Sequence, residues 1–213
     1  MAAFGWDLVF AAFEWWFTGI RFGAADDIPA QGDFDGDGKT DIAVFRPSTG
    51  TWFIQPSGGG AIISTQFGQS SDKPVPGDYD GDGKTDIAVF RPSEGNWYML
   101  RSTAGFVGIH FGLSGDKVVP ADYDGDGKTD PAIYRDGTWY LFQSTAGFLA
   151  IPFGTAADIP APGDFDGDGK ADISVFRPSS GTWFQQRSTS GFFATQFGQS
   201  GDKPVPAGYV PVQ

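Results

Sequence analysis

A ten-residue acidic segment occurs four times in this chain at nearly constant spacing. The copies read GDFDGDGKTD from Gly32, GDYDGDGKTD from Gly77, ADYDGDGKTD from Ala121 and GDFDGDGKAD from Gly163. Their first aspartates are 45, 44 and 42 residues apart, and Phe-Gly pairs recur at matching intervals. Periods of this length are typical of solenoids, propellers and arrays, so the chain is predicted to consist of one repeated structural unit.

Each unit contains several short segments with the composition of β-strands. An apolar segment such as DIAVFRPS, from Asp41, follows the acidic segment and ends at a turn signal. An aromatic segment such as TWFIQPS comes next, then a third segment that ends at Phe-Gly. A short fourth segment, such as KPVPGDY from Lys73, leads into the next acidic segment. Four short strands in a unit of this length predict a blade of a β-propeller.

Composition supports an all-β fold and excludes some functions. The 213 residues are 40% hydrophobic and include 32 glycines and 15 prolines, which favours short strands joined by tight turns. A net charge of −12 argues against binding nucleic acid, because no basic stripe is available for a phosphate backbone. The chain has no cysteine, so disulfides and thiolate metal sites are excluded.

The two ends of the chain are predicted to form one further blade. Residues 205–209 repeat the pattern of 75–79, and the stretch 7–23 resembles a unit without its acidic segment. We therefore expect a single propeller domain over residues 1–213, most simply with five blades, in which a partial blade 1–31 is completed by 207–213. The complete repeats are 32–76, 77–120, 121–162 and 163–206. Because the N-terminal stretch is short for a full unit, an alternative is that two chains complete each other's ring.

The first twenty residues, MAAFGWDLVFAAFEWWFTGI, are apolar enough to resemble a signal peptide or a membrane span. They lack a basic start and carry Asp7 and Glu14, whereas a spanning helix needs about 20 apolar residues with few charges. We therefore expect core-forming sequence here and no membrane span.

The acidic segment has the chemistry of a calcium loop. Its pattern is D-x-D-G-D-G-x-x-D, with aspartates at positions 1, 3, 5 and 9. With a backbone carbonyl at position 7, these groups can direct oxygens to one point, which suits a hard cation with six to eight oxygen ligands. A plain turn would gain nothing from four carboxylates, which repel one another without a cation. Zinc is disfavoured because the chain has one histidine and no cysteine, and magnesium because it prefers to keep its waters.

Position 12 separates this loop from an EF-hand, which places a bidentate glutamate there. This chain has Val44, Val89, Ile133 and Val175 at that position. The aspartate at position 9 must therefore close the site, and the prediction is a calcium loop in a β-hairpin.

This motif in a unit of this length resembles the FG-GAP/VCBS repeat of integrin α-subunit propellers and of many bacterial surface and secreted proteins. The resemblance implies about four Ca²⁺ ions, a binding or interaction module, and a secreted or cell-surface location. Integrin propellers have seven blades, and this chain carries Gly208 and Val210 at ligand positions of its last partial unit, so neither ring size nor a fifth ion is carried over. The implied ligands, with the lysines contributing carbonyl oxygens, are Asp33, Asp35, Asp37, Lys39 and Asp41; Asp78, Asp80, Asp82, Lys84 and Asp86; Asp122, Asp124, Asp126, Lys128 and Asp130; and Asp164, Asp166, Asp168, Lys170 and Asp172.

No catalytic residues are predicted. The single histidine, His110, stands where other units have Arg21, Gln66, Pro152 and Gln196, as expected of a solvated strand residue. No serine lies in a G-x-S-x-G context. Hydrolysis of an ester, lactone or phosphotriester at an open calcium position stays as an alternative function.

Two further residue types recur once per unit. The arginines are predicted to pair with neighbouring carboxylates; they are Arg46, Arg91, Arg135 and Arg177. The tryptophans are predicted to pack between blades; they are Trp52, Trp97, Trp139 and Trp183. The alternative for the tryptophans is a ring of sugar-stacking platforms, which would make the protein a lectin. The expected partners are thus calcium and a protein or glycan ligand, with the chain a monomer or a ring-completing homo-oligomer.

Overall fold

The computed structural model describes residues 19–205 and contains four antiparallel sheets of four strands each. Blade 1 comprises β1 (Ile28–Pro29), β2 (Ile42–Arg46), β3 (Thr51–Gln55) and β4 (Ile63–Gln66). Blade 2 comprises β5 (Lys73–Pro74), β6 (Ile87–Arg91), β7 (Asn96–Arg101) and β8 (Gly105–His110). Blade 3 comprises β9 (Lys117–Val118), β10 (Ala132–Arg135), β11 (Thr138–Gln143) and β12 (Gly147–Pro152). Blade 4 comprises β13 (Ile159–Pro160), β14 (Ile173–Arg177), β15 (Thr182–Arg187) and β16 (Gly191–Gln196).

The prediction of an all-β propeller with four-stranded blades is confirmed. In each blade the strands pair in chain order, from a two-residue inner strand to an outer edge strand. The sheets are offset from the sequence repeats. The inner strand Lys73–Pro74 lies at the end of the repeat 32–76, but it pairs with β6 of the following blade.

The core lies mainly between adjacent blades. Trp52 and Phe45 of blade 1 pack with Val89 of blade 2. The same arrangement joins Trp97 to Ile133 at the next boundary. Burial alternates along the first residues of β3, β7 and β11, the third strands of blades 1 to 3, because successive side chains of a strand point to opposite faces of the sheet.

Adjacent blades also meet at the acidic segments, where two residues approach closely. The Thr129 backbone N–H donates to the Asp78 carbonyl at 2.5 Å. This brings the Thr129 side chain against Gly77, where an added Cβ would lie 2.7 Å from Oγ1 and 2.9 Å from Cβ of the threonine. Gly32 and Thr85 repeat the arrangement one boundary earlier. One boundary later the equivalent residues are both alanine.

That alanine pair is Ala121 and Ala171, and the backbone bond is conserved there, with Ala171 N–H donating to the Asp122 carbonyl at 2.6 Å. The inner strands and these junction residues surround a central cavity of about 490 Å³. Its lining includes Pro29, Pro74, Thr85, Val118, Thr129 and Ala171.

Aromatic pairs connect the outer parts of neighbouring blades. In three of the Phe-Gly pairs the phenylalanine lies beside a phenylalanine of the next edge strand, with ring centroids 6.2 to 6.4 Å apart. These pairs are Phe67–Phe106, Phe111–Phe148 and Phe153–Phe192. Phe197, the corresponding residue after blade 4, is 77% exposed. Blade 4 therefore presents an uncovered edge within the described residues.

Four blades are present in the described part of the chain. The predicted fifth blade depends on residues 1–18 and 206–213, which lie outside the described residues, as do the expectations for the apolar N-terminal stretch. Within residues 19–205, no helix is long and apolar enough to cross a membrane.

Candidate metal centres

Each acidic segment connects the inner strand of a blade to its second strand. We call the segments loop 1 (33–41), loop 2 (78–86), loop 3 (122–130) and loop 4 (164–172). Isolated β-bridges close each loop at its base, as between Gly77 and Asp86 in loop 2. The glycines at positions 4 and 6 have positive φ, +79° at Gly81 and +85° at Gly83, which glycine adopts without strain. The loop residues are therefore wound into a compact turn.

The aspartate at position 1 organises the turn. In loop 2, Asp78 accepts hydrogen bonds from the Gly81 N–H at 2.6 Å and the Gly83 N–H at 2.8 Å. The same pair of bonds occurs in every loop. The lysine of the next loop covers the outside of this turn, since the Lys128 stem lies against Gly81.

The aspartate at position 9 is buried and links the loop to the rest of its blade. Asp86 is 1% exposed, and it accepts from the Tyr79 N–H at 2.9 Å and from the Ser102 N–H at 2.7 Å. Burial raises the pKa of this carboxyl despite the two donors, and nearby Asp80 and Asp78 raise it further. In loop 3, burial and the neighbouring aspartates raise the pKa of Asp130 to about 6.

The aspartate at position 5 faces the turn between the third and fourth strands. Asp82 accepts from the Ser102 hydroxyl at 2.5 Å, from the Thr103 hydroxyl, and from the Lys84 N–H at 2.9 Å. Ser102 and then Thr103 lower the pKa of Asp82 through these bonds. Ser188 and Thr189 likewise lower the pKa of Asp168 to about 2.

The aspartate at position 3 has one satisfied and one unsatisfied oxygen. Asp80 Oδ2 accepts from the Thr103 N–H at 3.0 Å and the Ala104 N–H at 2.8 Å. Asp80 Oδ1 is buried and has no hydrogen-bond partner within the described residues. The same oxygen is buried and unpartnered in Asp124 and Asp166. A buried carboxylate oxygen without a donor or cation is energetically costly.

Three carboxylates converge in every loop. In loops 2, 3 and 4 the aspartates at positions 1, 3 and 9 each offer an oxygen within 4.8 Å of the others. In loop 1 the converging residues are instead Asp33, Asp35 and Asp37, at positions 1, 3 and 5. Of the four aspartates predicted to act together, each loop thus brings together three. The converging groups in loops 2 to 4 are Asp78, Asp80 and Asp86; Asp122, Asp124 and Asp130; and Asp164, Asp166 and Asp172.

Loop 1 differs because its supporting turn differs. In blades 2 to 4 the turn after the third strand reads Ser-Thr-Ala-Gly or Ser-Thr-Ser-Gly, whereas blade 1 has Ser57 followed by three glycines. Ser57 still bonds Asp37 and Asp41. No threonine follows it, and within the described residues Asp35 receives no bond from this turn.

The serines and threonines of these turns were not among the residues predicted from the sequence. Ser57, Ser102, Ser144 and Ser188 each contact the aspartates at positions 5 and 9 of their own blade. The available signal was their recurrence at the end of every aromatic segment. Their role depends on a contact across about twenty residues, which the repeat pattern alone does not reveal.

The arginine prediction is confirmed. Each arginine makes a two-bond ion pair with a buried aspartate 19 residues earlier, such as Arg91 with Asp72 at 2.9 and 3.0 Å. The other pairs are Arg46–Asp27, Arg135–Asp116 and Arg177–Asp158.

The packing role of the tryptophans is confirmed for Trp52, Trp97 and Trp139, which are fully buried. These three rings therefore provide no sugar-stacking surface. Trp183 is half-buried at the uncovered edge of blade 4. His110 is exposed, as predicted, and its Nδ1 lies 2.8 Å from Asn96 Oδ1.

Solved structures with this fold include proteins of different function. A lectin from Agrocybe aegerita that recognises non-reducing terminal N-acetylglucosamine has a TM-score of 0.55 at 19% identity, over 79% of this chain and 51% of the lectin. Virginiamycin B lyase from Staphylococcus aureus has a TM-score of 0.55 at 7% identity, over 84% and 58% of the two chains. A streptogramin B lyase has a TM-score of 0.53 at 10% identity, over 81% and 56%. The chain thus spans little more than half the length of these proteins, and the likeness shows the fold alone.

Sequence comparison is more specific. A search of curated proteins gives no match to this chain. The FG-GAP-like repeat model matches residues 33–89 and 78–133, and the FG-GAP repeat model matches residues 156–200. These matches cover more than half of the chain and include all four acidic loops. The protein therefore belongs to the FG-GAP repeat family, whose β-propellers are a type of interaction module.

Proposed function

We propose that the protein is a calcium-binding propeller that serves as a binding or interaction module, with one Ca²⁺ in each acidic loop. The single observation that carries the calcium assignment is the unpartnered buried oxygen of Asp80, Asp124 and Asp166. Each lies on a carboxylate that converges with two others. A cation at the convergence point would satisfy that oxygen and offset the repulsion between the carboxylates.

The donor set favours calcium over other metals. All side-chain candidates are carboxylates, and carbonyl oxygens of Lys39, Lys84, Lys128 and Lys170 would complete each set. Hard oxygen donors in a flexible loop suit Ca²⁺, whereas zinc selects nitrogen and sulfur ligands. Four ions would change the formal net charge from −12 to −4.

The ions would act on structure first. Each loop joins two strands of its blade, and loops 1 to 3 also contact the next blade, as Asp78 contacts Thr129. A ligand that binds only the folded state stabilises it, by about 2.7 kcal/mol at a concentration one hundred times its Kd. We therefore expect calcium to raise the melting temperature of the protein substantially.

The test compares thermal unfolding in EDTA and in millimolar Ca²⁺. Asp80→Asn should reduce the rise in melting temperature that calcium produces. In EDTA its melting temperature should be unchanged or slightly higher than that of the natural protein, because the neutral amide reduces repulsion between the carboxylates of the loop. Asp136→Asn, at an exposed aspartate outside the loops, is the matched control. An identical melting temperature in EDTA and in calcium would refute the calcium assignment.

We further propose that a fifth blade, built from residues that precede β1 and residues that follow β16, closes the ring. Ile28–Pro29, which we expected in this blade, pair with β2 of blade 1 instead. The supporting observation is the uncovered edge of blade 4, where Phe197 has no aromatic neighbour among residues 19–205 like those beside Phe67, Phe111 and Phe153. Light scattering tests this arrangement. A mass near 22.7 kDa supports closure within one chain. A dimer would instead favour two chains that complete each other.

We also propose a secreted or cell-surface location. FG-GAP repeats are typical of extracellular proteins, and calcium is available there at the concentrations that loops of this kind require. Fractionation of cells that produce the full-length protein tests the location, and a purely intracellular protein would contradict it.

A further inference from the structure

Blade 2 gathers rare side chains of this protein into one surface cluster. The chain contains one histidine, one asparagine and two glutamates. The histidine, the asparagine and one glutamate meet on this blade, as His110, Asn96 and Glu94. Tyr98 and Arg91 complete the cluster. We call these five residues the blade 2 cluster.

Hydrogen bonds fix the orientation of every polar group in the cluster. The Asn96 amide nitrogen donates to Glu94 Oε2 at 3.0 Å and to the Tyr98 hydroxyl at 2.9 Å. The Tyr98 hydroxyl donates to Glu94 Oε2 at 2.5 Å. Because the Asn96 nitrogen is committed as a donor, its oxygen must accept, and His110 Nδ1 therefore carries the proton that it donates to Asn96 Oδ1.

This arrangement leaves two acceptors facing solvent. Neutral His110 with its proton on Nδ1 presents Nε2 as an acceptor. Glu94 is exposed, and its Oε1 lies outside the Tyr98 and Asn96 bonds, with Arg91 Nη1 3.6 Å away and room for a further donor from solvent. The Tyr98 hydrogen bond, more than any other contact, holds the pKa of Glu94 below its usual range, so the carboxylate is charged at neutral pH.

An apolar surface lies beside these acceptors on the same face of the sheet. Residues 106, 108 and 110 of β8 share that face, and Tyr98 is paired with Gly108. Gly108 has no side chain, so the Tyr98 ring lies against the strand there. The Phe106 ring stacks near Tyr98 and is 61% exposed. We call this face of β8, from His110 to Phe106, the shelf; at about 3.3 Å per residue it is about 13 Å long.

Blades 1, 3 and 4 lack this combination. The equivalents of Glu94, Asn96 and His110 are Thr49, Thr51 and Gln66 in blade 1 and Ser180, Thr182 and Gln196 in blade 4. Blade 3 has a hairpin two residues shorter, with no counterpart of Glu94, and Pro152 in place of the histidine. A need of the fold would be met in every blade, so the cluster is not required for propeller architecture.

We propose that the blade 2 cluster binds a neutral saccharide of one or two rings. A sugar offers hydroxyl donors for Glu94 Oε1 and His110 Nε2, and an apolar C–H face for Phe106. Charged ligands fit less well. The Arg91 guanidinium lies 3.6 Å from Glu94 Oε1 and would repel a cation, while Glu94 and the net charge of −12 would repel an anion.

This proposal rests on the protein's role as a binding module, but not on calcium in the loops. The experiment screens the full chain, in millimolar calcium, against an array of neutral, sialylated and sulfated oligosaccharides, and measures affinities by calorimetry. The test variant E94S/N96T/H110Q carries the residues that blade 4 uses on the same backbone. Phe106→Ala tests the shelf, and Phe192→Ala is the matched control, since Phe192 is equally exposed on blade 4, at 63%.

We expect neutral saccharides to bind more tightly than sialylated or sulfated ones. We expect E94S/N96T/H110Q and Phe106→Ala each to weaken binding at least tenfold, and Phe192→Ala to change it less than twofold. All variants should keep the calcium-dependent gain in melting temperature, which separates this proposal from the calcium assignment. The proposal is overturned if no neutral saccharide binds, if the triple variant binds as well as the natural protein, or if a lysine-rich peptide binds in place of sugars.

Discussion

The contact between Gly77 and Thr129 allows a quantitative test of how the blades are joined. A Cβ at residue 77 would lie 2.7, 2.8 and 2.9 Å from Oγ1, Cγ2 and Cβ of Thr129. Unstrained contacts between such atoms lie near 3.5–4.0 Å, and the threonine Cβ cannot move without its backbone. Gly77→Ala must therefore push blades 2 and 3 apart by several tenths of an ångström.

The expected cost follows from two opposing effects. Overpacking of this kind destabilises proteins by about 1–3 kcal/mol. Replacing glycine by alanine also restricts the unfolded chain, which returns about 0.4–1 kcal/mol, because Gly77 does not have a positive φ. We expect a net loss of about 1–2 kcal/mol in the free energy of unfolding.

A second substitution should remove most of this loss. Thr129→Ala alone should cost about 1 kcal/mol through lost packing. The double variant recreates the alanine pair that Ala121 and Ala171 form at the next boundary. Its loss in the free energy of unfolding should therefore be smaller than the sum of the two single losses by at least about 1 kcal/mol.

The assay is urea unfolding in saturating calcium, followed by the fluorescence of the buried tryptophans. Gly83→Ala is not a suitable control, because Gly83 has a positive φ. Gly115→Ala is suitable, since an added Cβ there meets no atom within 4 Å and no positive φ strains it. If Gly77→Ala unfolds at the same urea concentration as the natural protein, or if the two losses simply add, the steric account of this boundary is wrong.

Three further predictions follow from the charged groups. Arg91→Ala should destabilise the protein by about 3–5 kcal/mol in urea unfolding, because it leaves the fully buried Asp72 carboxylate without its ion-pair partner. The control is Arg101→Ala, which should cost far less because Arg101 bonds only to backbone carbonyls. In EDTA the free energy of unfolding should rise on acidification from pH 7 to pH 5. The reason is that a carboxyl whose pKa is about 6 in the fold and about 3.9 when unfolded takes up its proton first in the folded state. Asp130→Asn should flatten the dependence of stability on pH over this range, and a fall in stability on acidification would contradict the buried position of Asp130. Loop 1 should bind calcium more weakly than the other loops, because its turn donates no hydrogen bond to Asp35 as Thr103 does to Asp80. In a calorimetric calcium titration, Asp33→Asn should therefore remove the weakest binding step and Asp78→Asn a tighter one. The reverse assignment would refute the role of the Ser-Thr turn.

The repeat pattern carried most of the information about the fold. Recurrent segments predicted four-stranded blades, buried tryptophans and paired arginines, because each depends on local composition and on a period. The repeat length does not show, however, at which residue of the repeat a blade begins. For that reason the pairing of Lys73–Pro74 with the following blade could not be predicted, and it became visible only through the sheet register.

The candidate sites were predictable to different degrees. Convergence of positions 1, 3 and 9 followed from the loop pattern, because those residues are close in the chain. The hydrogen bond that Asp82 accepts from Ser102 could not be predicted in this way, since the two residues are 20 positions apart in the chain. His110 looked unremarkable when compared with its repeat equivalents alone. Its partnership with Asn96 depends on the register of β7 and β8, which the repeat comparison does not contain.

The junction residues also determine which blades can follow one another. Units that begin with glycine and carry threonine at the eighth loop position, as the units of Gly32–Thr40 and Gly77–Thr85 do, are compatible with copies of themselves. The unit with Ala121 and Thr129 would clash with its own copy, and the unit with Gly163 and Ala171 would leave a gap beside its own. Tandem duplication could therefore lengthen this propeller through its first two units, whereas the last two units must be inherited as a pair.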